Sequence, residues 1–147
     1  MQRFLGLDIG KKRTGVALVD DQSKVATPLE TISFVPNTNQ FIDRLIELIH
    51  EWEPEAVIVG LPIDLKGKES VAASQMRTIT SEMMNMLNLK LKKSGKAQLQ
   101  AKYVDERLTT AQAEKSLKSA DFSSEYRKKH RDALAAAVIA QSWVDTL

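Results

Sequence analysis

Cysteine is absent from the 147 residues. No disulfide can staple this fold, and no thiolate can hold zinc or attack a substrate. Histidine is nearly absent too, with only His50 and His130, too few to suggest a histidine mechanism. Long apolar runs are missing. The longest stretch, from Ala133 to Ala140, falls well short of the ~18 residues a membrane span needs. The first residues lack the uninterrupted apolar region of a signal peptide, so no membrane partner is expected. With six glycines, four prolines and no repeat or linker-like stretch, the whole of 1–147 reads as one domain. Charge of either sign is not in great excess. The net value is +2 and the sequence pI about 8.8, which alone is weak ground for nucleic-acid binding.

What is present has a clear order. Arg3 to Asp8, Thr14 to Val19 and Val25 to Ile32 read as three strands joined by short turns, an antiparallel meander. Pro28 places the third at an edge. The period then changes. Phe41, Leu45, Leu48, Ile49 and Trp52 recur at helical spacing and predict a helix over 39–52, stopped by Pro54. Ala56 to Gly60 is wholly apolar, as in a strand covered on both faces. Ile63 to Ser70 reads as a mobile loop. Ala72, Met76, Ile79, Met83 and Leu87 mark a long helix whose methionines fill core. Leu99 to Val104 is a fifth strand, and a third helix follows from Thr109 or Thr110 to Leu117. Residues 119–127 read as loop, and a last helix runs from about Lys129 to Asp145. A meander followed by alternating helices and strands predicts an α/β fold. Strands four and five should lie parallel to strand one in a five-stranded mixed sheet, with helices on both faces.

The acids stand out by position. Asp8 ends the first strand, Asp105 and Glu106 end the fifth, and Asp132 opens the last helix. Sites in such sheets form at the carboxyl ends of parallel strands. Asp8, Glu106 and Asp132 brought together there would repel unless cations neutralised them. Oxygen ligands of this kind suit Mg²⁺ or Mn²⁺, and two such ions can clamp a phosphodiester. Each acid also has an ordinary reading. An Asp before a glycine turn is commonly a turn residue, and an acid at a helix start offsets the helix dipole. The basic residues lie near the same acids in sequence: Lys12 and Arg13 after the first strand, Lys66 and Lys68 in the loop, Arg107 after Glu106, and Lys129 and Arg131 beside Asp132. Together they are candidate phosphate contacts. Lys90, Lys92, Lys93 and Lys96 end a helix, where cations suit the dipole. Gly6, Gly10 and Gly15 surround Asp8 and permit tight turning and close backbone approach. The run D-I-G-K-K-R-T-G-V-A is also similar to the phosphate hairpin of actin-like ATPases and sugar kinases. Those need two such domains and a second glycine-rich loop, which this chain does not supply.

Four segments in order carry a closer likeness: L-D-I-G-K-K-R-T-G-V-A-L at 7–18, V-G-L-P at 59–62, D-E-R-L-T-T at 105–110 and R-D-A-L-A-A-A-V-I-A-Q at 131–141. Through them the chain resembles the YqgF, or RuvX, family of RNase H-like nucleases. The resemblance implies an RNase H-like fold, a metal-dependent nuclease and a cytoplasmic setting. Asp8, Glu106 and Asp132 would be its catalytic metal ligands, and Asp105 shares the motif. It implies processing of the 5′ end of precursor small-subunit ribosomal RNA, with RNA ahead of branched DNA as partner and pre-ribosomal particles as a setting. The alternatives are a Holliday junction resolvase and a non-enzymatic RNA-binding assembly factor; the chain could act as monomer or homodimer. After V-G-L-P the family often carries an Asn and an Asp-Gly. Asp64 and Lys66-Gly67 stand here instead, in a loop expected to meet substrate.

Overall fold

A computed structural model of the protein describes residues 1–62, 70–105 and 123–147. The first three strands, β1 (Arg3–Ile9), β2 (Thr14–Asp20) and β3 (Thr27–Ile32), form the expected meander. Helix α1 (Asn39–Trp52) matches the apolar spacing residue for residue. Thr38 begins it by accepting the Phe41 N–H, and Glu53 ends it in the left-handed region with Pro54 behind. Strand β4 (Ala56–Leu61) is buried throughout. Helix α2 (Val71–Lys93) then leads to β5 (Gln100–Asp105). Two more helices close the order, α3 (Ser124–Lys129) and α4 (Arg131–Val144).

The strands lie in the order β3-β2-β1-β4-β5, with β4 parallel to β1 and β5 parallel to β4. Strand β3 takes the edge, the position in a sheet where a proline such as Pro28 is tolerated. Alternation along the strands builds two cores. Leu5, Leu7 and Ile9 of β1 join Val57 and Val59 of β4 under α1 and α2. Phe4 of β1, Ala17 and Val19 of β2 and Ile58 of β4 turn the other way, under Ala136, Ala137, Ala140 and Val144 of α4. Met83, Met84, Met76 and Met86 all belong to the first core, as their spacing predicts. Trp52 and Trp143 pack against the two cores, and His50 is exposed. Lys90, Lys92 and Lys93 close the last turn of α2, and Lys90 Nζ also pairs with Asp43 at 2.6 Å.

Two expectations need correction. Residues 124–127 are helical rather than loop, because the Ser123 hydroxyl accepts the Tyr126 N–H and starts a turn that the polar composition conceals. The last helix is not continuous from Lys129. His130, at φ −115° and ψ 28°, breaks it, so α4 begins at Arg131. The helix expected from Thr109 or Thr110 to Leu117 and the loop from Ile63 lie outside the described residues. Among the described residues, no helix is long and apolar enough to cross a membrane.

Candidate active site

Asp8 sits one residue before the end of β1, on the α4 side of the sheet, because Phe4, Gly6 and Asp8 share one face. Its cross-strand partner is Gly15. Above Gly15 lies the first turn of α4, in contact so close that no side chain fits unless the helix moves. A Cβ on Gly15 would meet the Asp132 carbonyl oxygen at 1.8 Å and its carbon at 2.2 Å. One turn further, a Cβ on Gly6 would meet the Ala136 oxygen and the Ala140 methyl, each at 2.8 Å. Two glycines on the sheet and a run of alanines on the helix thus let the backbones touch. The result sets Asp132 beside Asp8 at the carboxyl edge of the parallel strands.

Electrostatics reports this apposition. Burial, and then the charge of Asp132, raise the Asp8 carboxyl above its ordinary value of 3.8. Among the described residues, one ion pair reaches these two acids. Arg13 Nε stands 3.4 Å from Asp132 Oδ2, but that guanidinium is 64% exposed, and such a pair contributes only ~0–1 kcal/mol. Arg13 is placed by the β1–β2 turn, where the Gly10 N–H donates to the Arg13 carbonyl at 2.9 Å. Asp132 is also the acid in the first turn of α4, whose start has no side-chain cap. Its carboxylate therefore meets the helix dipole as well as Asp8.

The other predicted residues divide into three sets. Lys12 and Arg13 on the turn, and Lys129 and Arg131 beside Asp132, are all exposed on the two segments that carry the acids. Glu106, Arg107, Lys66 and Lys68 lie outside the described residues, so the described part of the site holds two of the three predicted ligands. Among the described residues no group of three metal-binding side chains occurs. Asp105 pairs in register with Leu61, and Val104 with Gly60. Val104 belongs to the core under α4, whereas Tyr103 packs into the other. Alternation therefore puts Asp105 on the α1–α2 side of the sheet, away from Asp8.

Sequence reasoning missed Gln141. Its buried Oε1 accepts the Ala26 N–H at 3.0 Å, and its Nε2 donates to the Lys24 carbonyl at 2.8 Å and to Asp145 Oδ1 at 2.9 Å. These bonds tie α4 to the connection between β2 and β3. The signal was a single amide at the end of the apolar run Ala-Val-Ile-Ala.

Comparison with known proteins fits this geometry. The family model described as "RuvX: Holliday junction resolvase" matches residues 2–146. A "Putative pre-16S rRNA nuclease" of Lactococcus lactis subsp. cremoris (strain MG1363) is 40% identical over 144 residues, covering 97% of this chain and 94% of its own. Its namesake in Listeria monocytogenes serotype 4b (strain F2365) is 37% identical over 145 residues, covering 98% of each. Among solved structures, RuvC of T. thermophilus in complex with a Holliday junction substrate aligns over 97% of this chain and 92% of its own, with a TM-score of 0.59 and 15% identity. At that identity the likeness is one of fold.

Proposed function

We propose, for a chain that belongs to the RuvX family, that Asp8, Asp132 and Glu106 form the centre of its hydrolytic site and that its substrate is precursor 16S ribosomal RNA. The chain is a nuclease, a hydrolase of nucleic-acid phosphodiester bonds, and its fold is RNase H-like. The observation that carries the site is the close packing of α4 on Gly15, the cross-strand partner of Asp8, which sets Asp132 beside Asp8. Two carboxylates held side by side suit a divalent cation, so the donor set fits Mg²⁺ or Mn²⁺. Two such ions, when bound, stabilise the attacking and leaving oxygens of a phosphodiester.

The chain's own residues do the rest. Asp8 and Asp132 are fixed by strand pairing and by close helix packing, which holds them ready before substrate arrives. Lys12, Arg13, Lys129 and Arg131 would grip phosphates around them, joined by Lys66, Lys68 and Arg107 from the segments beyond the description. Arg13 is the best placed, because it already reaches Asp132.

The RNA reading is supported by relatives 37–40% identical along nearly their whole length, which carry the pre-16S name. A second reading, cleavage of four-way DNA junctions, is favoured by the family description. Labelled precursor RNA and branched DNA should be offered side by side, each with Mg²⁺ and with Mn²⁺. Faster cleavage of the RNA supports the first reading; junction cleavage alone supports the second; no cleavage of either rejects both.

A further inference from the structure

The carboxyl edge of the sheet has another side. Across β1 from Asp8, a groove of about 510 Å³ opens between the β1–β2 turn, the segment before α1 and the first half of α2. That volume lies within the ~300–1,000 Å³ of pockets that hold small ligands. Its walls are mostly apolar, formed by Ile9, Val35, Pro36, Pro62, Met76 and Ile79, with Gln75 and Glu82 of α2 among the polar residues that line it. Val35 is 54% exposed there, as an apolar residue facing only its own core would not be. Lys11 supplies a cation at the rim. Asn37 lines one wall. Its Nδ2 donates to the Ile79 carbonyl at 3.1 Å, and its Oδ1 is buried without a hydrogen-bond partner among the described residues.

Three features define the occupant. The groove lies at the same carboxyl edge of the sheet as the candidate active site, because Ile9 ends β1 and Gly10-Lys11 opens the turn that leads to Arg13. Largely apolar walls that carry Lys11 at the β1–β2 turn, with Glu82 further along on α2, suit a group with a flat, weakly polar body and an anion on the Lys11 side. Asn37, Gln75 and Glu82 in the lining offer oxygen acceptors to an N–H. An unpaired nucleobase on its own phosphate has all three properties: a face that packs on apolar side chains, an edge with N–H donors, and a negative charge one bond network away.

We propose that this groove receives one unpaired base of the substrate strand, next to the bond that is cut, with Lys11 on that nucleotide's phosphate. The inference rests on the nuclease reading only for the position of the cut. A paired base cannot enter, since it is stacked and its edge is occupied, so the groove selects single-stranded or frayed substrate. Selection comes from base burial on the α2 side, while the neighbouring phosphates would be held by the basic residues beside Asp132.

The test uses the full chain and Ala72→Phe. Ala72 is exposed on α2 and lines the groove, so a phenyl ring fills the space without entering either core. Single-stranded RNA substrates would each carry one abasic nucleotide, stepped across the cleavage position. The unaltered protein should cut about tenfold more slowly when the abasic nucleotide falls at one particular step. Ala72→Phe should be slow on the intact substrate and indifferent to the abasic position. Position-independent cleavage by the unaltered protein overturns the proposal, as does preserved position dependence in Ala72→Phe. Binding of the same RNAs without metal, read by fluorescence anisotropy, separates this idea from the nuclease reading. If nothing is cut, that reading fails alone, and a base-dependent affinity lost in Ala72→Phe still supports the groove. Equal affinity for intact and abasic RNA overturns it. Lys11→Ala gives a second variant and should weaken binding and lessen its salt dependence; an unchanged salt dependence removes Lys11 from the phosphate.

Discussion

Replacing Gly15 by alanine should damage activity far more than folding. The new methyl would lie 1.8 Å from the Asp132 carbonyl oxygen and 2.9 Å from the Ala133 nitrogen. Both are backbone atoms, so no side chain can swing aside. Restoring a contact of about 3.0 Å requires the start of α4 to lift by about 1.2 Å. Overpacking of this kind costs ~1–3 kcal/mol, part of which is offset because alanine restricts the unfolded chain. At this chain length that lowers Tm by roughly 2–12 °C. The same lift carries Asp132 away from Asp8, and a misplacement of ~1 Å in a catalytic group can cost ~10²-fold in rate. Gly95→Ala is the matched control. Gly95 has φ +70° and nothing within 4 Å of the would-be methyl, so the change costs ~1–2 kcal/mol of backbone strain and moves nothing near the acids. Cleavage of a labelled substrate with Mg²⁺ should be measured on both variants well below both melting temperatures. If Gly15→Ala retains full activity, or loses no more than Gly95→Ala, close packing of α4 does not position the site.

Asp8→Asn should stabilise the metal-free protein at neutral pH. The folded state raises the Asp8 carboxyl, so its contribution to stability is full below the unfolded value near 3.8 and is lost as pH rises through the folded one. The advantage of the variant should therefore be absent in acid, grow across that window and then level off. Urea unfolding at several pH values measures it, and a pH-independent difference contradicts the burial argument. Asp132→Asn should lower metal-dependent cleavage by orders of magnitude without lowering metal-free Tm, whereas a purely dipolar Asp132 would lose ~0.3–1 kcal/mol and no activity. A less stable but fully active variant strikes Asp132 from the site. Gln141→Leu strands the Ala26 N–H and the Lys24 carbonyl, at a cost of ~1–3 kcal/mol for a buried group; an unchanged urea midpoint would show that water replaces both bonds.

The fold was legible because its signals are local. Apolar spacing marks α1 to the residue, the unbroken apolar run marks β4, and Pro28 marks the edge. The break at His130 was not legible, since an alanine-rich pattern continues smoothly on one side while the Ser123 cap hides among polar neighbours on the other. The nearness of Asp8 and Asp132 could be argued only from topology. Its physical cause is complementarity between Gly6 and Gly15 on the sheet and Ala136 and Ala140 on the helix, a pairing that no single stretch of sequence displays. Asp105 is the instructive opposite: adjacent to Glu106 in sequence, it is turned to the other face of the sheet by a period of two.

Docking of α4 has a consequence for how the protein comes into being. The helix that packs on one face of the sheet is the last element in the described order, yet it rests mainly on β1 and β2, the first two. During synthesis, chains fold from the N-terminus as they emerge. The meander and the α1–α2 layer can therefore form while the opposite face, with Phe4, Ala17 and Val19, is still bare. Until residues 131–144 leave the ribosome, Asp8 has no Asp132 to face. A nascent chain would carry a sticky surface and a solitary Asp8, and the closure that hides the surface is the same event that completes the acid pair.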